Sequence, residues 1–164
     1  MTLPPNKALA EALRSEIENL RQLQPEVADE QARFGNQASP SIHDLRGVAS
    51  VLRDIYQGAE KAFERIARVM GEPLPSGSDW HQKLLNQMGY AFAGKRPAVI
   101  QAETLRSLDE FRRFRHVERH RYGFEFEWEN LQELLTGANQ TLKLLIADLE
   151  IFCNFLEQLD EDEA

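Results

Sequence analysis

The stretch WENLQELLTGANQTLKLLIADLEIFCNFLEQL, residues 128 to 159, decides the fold. Trp128, Leu131, Leu135, Ala138, Leu142, Leu145, Leu149, Phe152 and Leu156 recur at steps of three and four. That is the spacing of one helix face, so the segment predicts a helix from near Glu127 to about Leu159. Leu134, Leu144, Ile151 and Phe155 widen the stripe beyond one face. A helix apolar on more than one side needs more than one neighbour. It is therefore either the central helix of a bundle or a helix that also meets a second copy of the chain.

Working outward, the same periodicity recurs. Leu45, Val48, Leu52, Ile55, Ala59, Ala62, Ile66 and Val69 form a clean stripe. Ser41 is placed to cap its start, Asp44 to support its first turn, and Gly71 to end it, with Pro73 and Pro75 behind. Leu9, Leu13, Ile17, Leu20, Leu23 and Val27 form an earlier stripe, which Pro25 is expected to kink or restart. Ser76-Gly77-Ser78-Asp79 opens a short helix carrying Trp80, Leu84 and Met88. Trp80 and His81 read there as core anchor and cap. After the break at Gly94-Lys95-Arg96-Pro97, a further helix is expected from about Ala98 to about His120, with Leu105, Leu108 and Phe111 inward. Lys95 and Arg96 read as a solvated loop. Phe124 to Trp128 alternates too briefly for a strand and reads as a junction between helices. The expected fold is all-α: an antiparallel up-and-down bundle of four to five helices.

The 164 residues suggest one domain spanning 1–164, with a short acidic end at 157–164. Five carboxylates fall between Glu157 and Glu163. They read as a solvated helix end or an acidic arm that docks on a basic surface. No apolar run is long enough to span a bilayer. The N-terminus lacks a basic region followed by an apolar stretch, so no secretory signal is expected. The single cysteine, Cys153, excludes an internal disulfide and reads as a small buried group on a helix. A cytoplasmic location fits these features.

The net charge of −8 argues against broad, non-specific nucleic-acid binding, which needs many cations against phosphate. Yet from Arg112 to Arg121 five of ten residues are arginine and two more are histidine. No phosphate-cradling glycine loop accompanies them. His116 and His120 are four apart but lack further metal ligands, and the arginines would repel a cation, so no metal and no cofactor is expected. What remains is acid–base chemistry on an anion. Arg115 presents a planar, permanently charged guanidinium suited to a phosphate. His120 can exchange a proton near neutral pH. RNA brings its own nucleophile, the 2′-hydroxyl, so a base beside a cation suffices to cleave it. On an ideal helix Arg115 and His120 lie roughly 140° apart, at about 100° per residue. Either the last turn unwinds before Gly123, or a second subunit completes the site across a two-fold axis, or both hold. A purely structural reading stays open: arginines near a helix C-terminus complement its dipole and pair with Glu110, Glu118 or Glu125.

Arg115, four residues, His120, Arg121, Tyr122 resembles the R-x4-H-x-Y motif of HepT-type toxins in the HEPN ribonuclease superfamily. The phrases FRHVERHRYGFEF, residues 114–126, and LPSGSDWHQKLLNQM, residues 74–88, are similar to HepT-like proteins beyond that motif. The resemblance covers roughly residues 10 to 157. It implies a HEPN-like bundle and a metal-independent endoribonuclease cleft built at a homodimer interface. It implies catalysis by Arg115 and His120, with His116, Arg119 and Arg112 positioning an RNA such as tRNA or mRNA. It further implies that Tyr122 is modified with AMP by a partner antitoxin, a minimal nucleotidyltransferase (MNT). The alternative it leaves is a non-catalytic HEPN-like dimer that serves as an interaction or nucleic-acid-binding module.

Overall fold

The computed structural model describes residues 3–34 and 40–163. Five helices carry the fold: α1 (Pro5–Phe34), α2 (Ile42–Val69), α3 (Trp80–Met88), α4 (Ala102–Glu118) and α5 (Trp128–Glu163). A single 3-10 turn, Gly123–Glu125, joins α4 to α5, where the short alternation reads as a junction. The described residues hold no regular sheet, and the protein is an all-α bundle. Among these residues no helix is long and apolar enough to cross a membrane.

α2 is bounded as its sequence requires. The Ser41 hydroxyl accepts from the Asp44 amide at 3.2 Å, and the Ser41 amide donates to the Asp44 carboxylate at 3.0 Å. Two amides of the first turn are thus satisfied reciprocally. At the other end Gly71 takes φ +72°. The Glu72 amide reaches back to the Ala67 carbonyl at 2.8 Å and the Gly71 amide to Arg68 at 3.3 Å. This pair of bonds closes the helix and needs the left-handed residue that glycine supplies without strain. Ser39, which precedes this cap, lies outside the described residues.

α1 packs most extensively against α5 and next against α2; α5 also meets α2 and α4. The broad apolar girth of α5 is thus used within one chain by three neighbours, although Ile151 stays 62% exposed. α2 touches every other helix and the 3-10 turn, so it is the hub. Its Val48, Leu52, Ile55, Ala59, Phe63 and Ile66 are fully buried. Cys153 is buried in α5 and donates weakly to the Ala10 carbonyl across the α1 seam. Burial holds its thiol above the usual range. Arg14 and Glu157, 2.8 Å apart, tie the start of the acidic end to α1, as Arg21 and Glu150 do further along.

Three expectations are corrected. α1 runs on through Pro25 without the expected restart. Leu20 and Val27 on either side are both buried, so packing against α5 and α2 offsets the lost backbone bond. α4 starts at Ala102 rather than Ala98. Val99 and Ile100 are buried in a bend before the helix, both amides donating to the Met88 carbonyl. Asp148 of α5 then caps α4, accepting from the Gln101 amide at 3.0 Å and the Thr104 hydroxyl at 2.6 Å. Lastly, Arg96 is not solvated. Its side chain is 1% exposed and forks onto Glu72, with Nε to Oε2 at 2.6 Å and Nη2 to Oε1 at 2.5 Å. Lys95 beside it is exposed.

Candidate active site

On a helix, residues at i, i+3, i+4 and i+7 share one face. Arg112, Arg115 and His116 of α4 and Arg119 at its cap stand in that relation, and all four line one cavity. The opposite side of α4 buries Leu108 and Phe111 and half-buries Phe114, which fixes the rotation of the helix. Tyr56 of α2 and His81 and Gln82 of α3, with the turn before α3, complete the cavity wall. The cavity is small and partly open to solvent, so a ligand larger than a few atoms would lie across its mouth.

The arginines are not equivalent. Arg112 donates to Asp109 at 2.7 Å, and Arg113, which points away from the cavity set, shares the same carboxylate. Arg115 is 17% exposed and donates to Glu60 of α2 at 3.2 Å. Arg119 is exposed, and no carboxylate pairs with it among the described residues. The site thus holds one arginine anchored from below and one free to follow a ligand.

Glu60 is the residue that sequence reasoning missed. Its side chain is 8% exposed on the buried side of α2. One oxygen accepts from Arg115 and the other lies 2.6 Å from Nδ1 of His81. Tyr56, one turn earlier, donates to the His81 carbonyl at 3.4 Å. Burial, with the Glu60 charge adding to it, holds the Tyr56 hydroxyl far above its usual range, so it stays a neutral donor. His81 therefore reaches across to α2 rather than capping α3. The available signal was a carboxylate, Glu60, set among Tyr56, Ala59 and Phe63 on a buried face, where an unpaired charge is costly.

α4 ends at Glu118. His120 and Arg121 follow in a tightened turn, their amides donating to Val117 at 3.1 Å and Glu118 at 3.3 Å. Of the two ways to reconcile Arg115 with His120, the helix does end before Gly123. His120 is exposed and does not line the cavity. Its ring packs edge-on against His116 at 5.3 Å, which places it at the rim. Tyr122 is 70% exposed and stacks on Phe124 at 5.3 Å, the rings 8° from parallel. Gly123 has no unusual φ; its role is close approach. A Cβ there would lie 2.4 Å from Nε of Arg46, so glycine lets the turn lie flat on α2. The ion pair of Arg53 with Glu118, at 3.1 Å, fixes the end of α4 to the same helix.

A helical bundle that gathers arginines and histidines at the end of α4, against α2 and α3, has the architecture of HEPN-type proteins. The family model described as HepT-like protein matches residues 47–156, and the chain belongs to that family. The match runs from the first turns of α2 nearly to the end of α5 and includes every cavity residue. It makes the chain a HEPN-type toxin in general character. No curated protein and no solved structure matches the chain.

Proposed function

We propose that this protein is an endoribonuclease toxin that cleaves RNA without a metal ion, with Arg115 and His120 as its catalytic residues. The observation that carries this reading is the placement of Arg115. A buried carboxylate holds it in a cavity shared with Arg112, His116 and Arg119, and His120 packs against His116 at the rim. A phosphate entering the cavity meets a preset guanidinium rather than one that must be ordered on binding. His120 takes the proton from the 2′-hydroxyl. The 2′-oxygen bonds to phosphorus, the bond to the 5′-oxygen breaks, and that oxygen leaves with a proton. The products are a 2′,3′-cyclic phosphate and a 5′-hydroxyl.

Because His120 stands outside the cavity of its own chain, a homodimer that brings two such rims together suits this chemistry. Tyr122, exposed two residues beyond His120, is open to AMP transfer by an MNT-type antitoxin. The added phosphate and bulk would repel RNA from the neighbouring arginines. The same position of His120 also favours a second reading, in which the cavity binds RNA and does not cut it.

The test is incubation of the purified protein with tRNA and with mRNA in the presence of a chelator, followed by analysis of the new ends. Cyclic phosphate and 5′-hydroxyl ends support the proposal. Retention of intact RNA by a protein that binds it supports the second reading, and 5′-phosphate ends contradict both.

A further inference from the structure

We infer that Glu60 and His81 form an acid–base dyad serving the Arg115 cavity, with His81 protonating the 5′-oxygen as it leaves. This rests on the reading of the cavity as an RNA-cleaving site, which requires a proton for that oxygen and assigns no donor.

Three observations place the donor on α3. The Glu60 carboxylate and His81 Nδ1 are 2.6 Å apart, the spacing of a short charge-assisted bond. Glu60 is nearly buried while His81 is 21% exposed, so the carboxylate is the anchor and the imidazole the working end. His81 lines the cavity that holds Arg115. With Nδ1 committed to Glu60, Nε2 is the nitrogen left to meet a ligand. A carboxylate behind a histidine fixes its orientation and stabilises the imidazolium. That is the form a proton donor needs.

The surrounding charges are mixed. Glu60 lies behind the His81 ring, Arg112, Arg115, His116 and Arg119 line the cavity from the end of α4, Asp79 lines it from the turn before α3, and Tyr56 of α2 is neutral. Arg115 draws on the other oxygen of the same carboxylate, so Glu60 couples the phosphate-binding group to the proton donor. The two histidines come from separate elements: His120 from the turn after α4, His81 from α3. In the reaction His120 gains the 2′-hydroxyl proton as His81 Nε2 gives its own to the 5′-oxygen. The protein ends with its proton count unchanged. Glu60 touches no reacting atom and is a positioning residue.

The test compares two substrates: an RNA cut by the parent protein, and the same RNA with sulfur bridging at the 5′ position of the cleaved linkage. A 5′-thiolate leaves without being protonated. His81→Gln should slow cleavage of the ordinary RNA by about 10²–10⁴-fold, the usual contribution of a positioned proton donor. It should cut the sulfur-bridged RNA within a few-fold of the parent. It should also lose one limb of the pH–rate profile. Glu60→Gln should show the same selectivity for the ordinary linkage with a smaller loss. Equal losses on both substrates mean that His81 only holds structure, and undiminished cleavage of ordinary RNA means that it does nothing; either overturns the inference while leaving Arg115 and His120 in place. A parent protein that cuts neither substrate removes the reading beneath it.

Discussion

Arg115 of α4 donates to Glu60 of α2 across 3.2 Å, so the guanidinium that faces the cavity is braced by a carboxylate behind it. A planar fork can hold Glu60 with one nitrogen and present others to a phosphate. An ammonium at the same place is a point charge on a flexible stem and does not present that fork. Arg115→Lys should therefore retain the fold and the charge yet cleave RNA about 10²–10³-fold more slowly, the cost of one preorganised donor. Thermal unfolding checks the fold and single-turnover cleavage the rate.

The pair of Glu72 and Arg96 is buried on both sides, at 2% and 1% exposure. Removing one partner leaves a buried charge alone, which costs roughly 3–5 kcal/mol. Arg96→Ala should lose about that much in urea unfolding. Replacing both residues with apolar ones of similar size should lose much less. The pair stands at the far end of α2 and α3 from the arginine face, so neither change should alter the pH dependence of cleavage in protein that remains folded.

Two glycines inside helices should respond in opposite senses. Alanine is favoured over glycine in a helix by about 0.8–1.0 kcal/mol. At Gly137, on the exposed side of α5, a Cβ meets nothing within 4 Å, so Gly137→Ala should stabilise by nearly that amount. At Gly58 a Cβ would stand 2.7 Å from Cδ2 of Leu20, which is 1% exposed. So close a contact forces the buried Leu20 side chain to shift, at about 1–3 kcal/mol that outweighs the helix term, so Gly58→Ala should destabilise. Paired melting curves of the two variants measure both signs.

Glu30 of α1 sits above its usual pKa of 4.5, chiefly because burial penalises its charge; nearby Arg33 opposes the rise, and Asp44, Asp29 and Glu26 add to it. One of its oxygens is buried without a partner among the described residues. The fold favours the protonated form. Its contribution is complete below the unfolded value and is lost as pH rises through the higher folded one. At pH 7 the charged group therefore works against folding. Glu30→Gln should melt at a higher temperature than the parent at pH 7, and the gap should close below pH 4.

What the sequence showed, and what it hid, follows one physical rule. Features set by near neighbours were legible: the stripe of α2, its cap at Ser41 and Asp44, its stop at Gly71, and the junction near Gly123. The basic cluster from Arg112 to Arg121 was legible too, because it is contiguous in the sequence. Features set by distant partners were not. Glu60 meets residues 21 and 55 positions away, and Arg96 meets one 24 away, so no local period reveals either pairing. The restart expected at Pro25 does not occur for the same reason, since the packing that carries the helix past it belongs to α5 and α2. The place of His120 at the rim depends on where α4 ends, and that end is held by Glu118 on Arg53, a contact between helices.

The central claim is that His120 moves a proton while Arg115 holds the phosphate. Its most direct measurement is the single-turnover rate of RNA cleavage in chelator by His120→Ala, set beside the parent at matched fold stability. The account expects a fall of roughly 10²–10⁴-fold with RNA binding retained. Cleavage by His120→Ala at the parent's rate, with the same cyclic-phosphate ends, would contradict it.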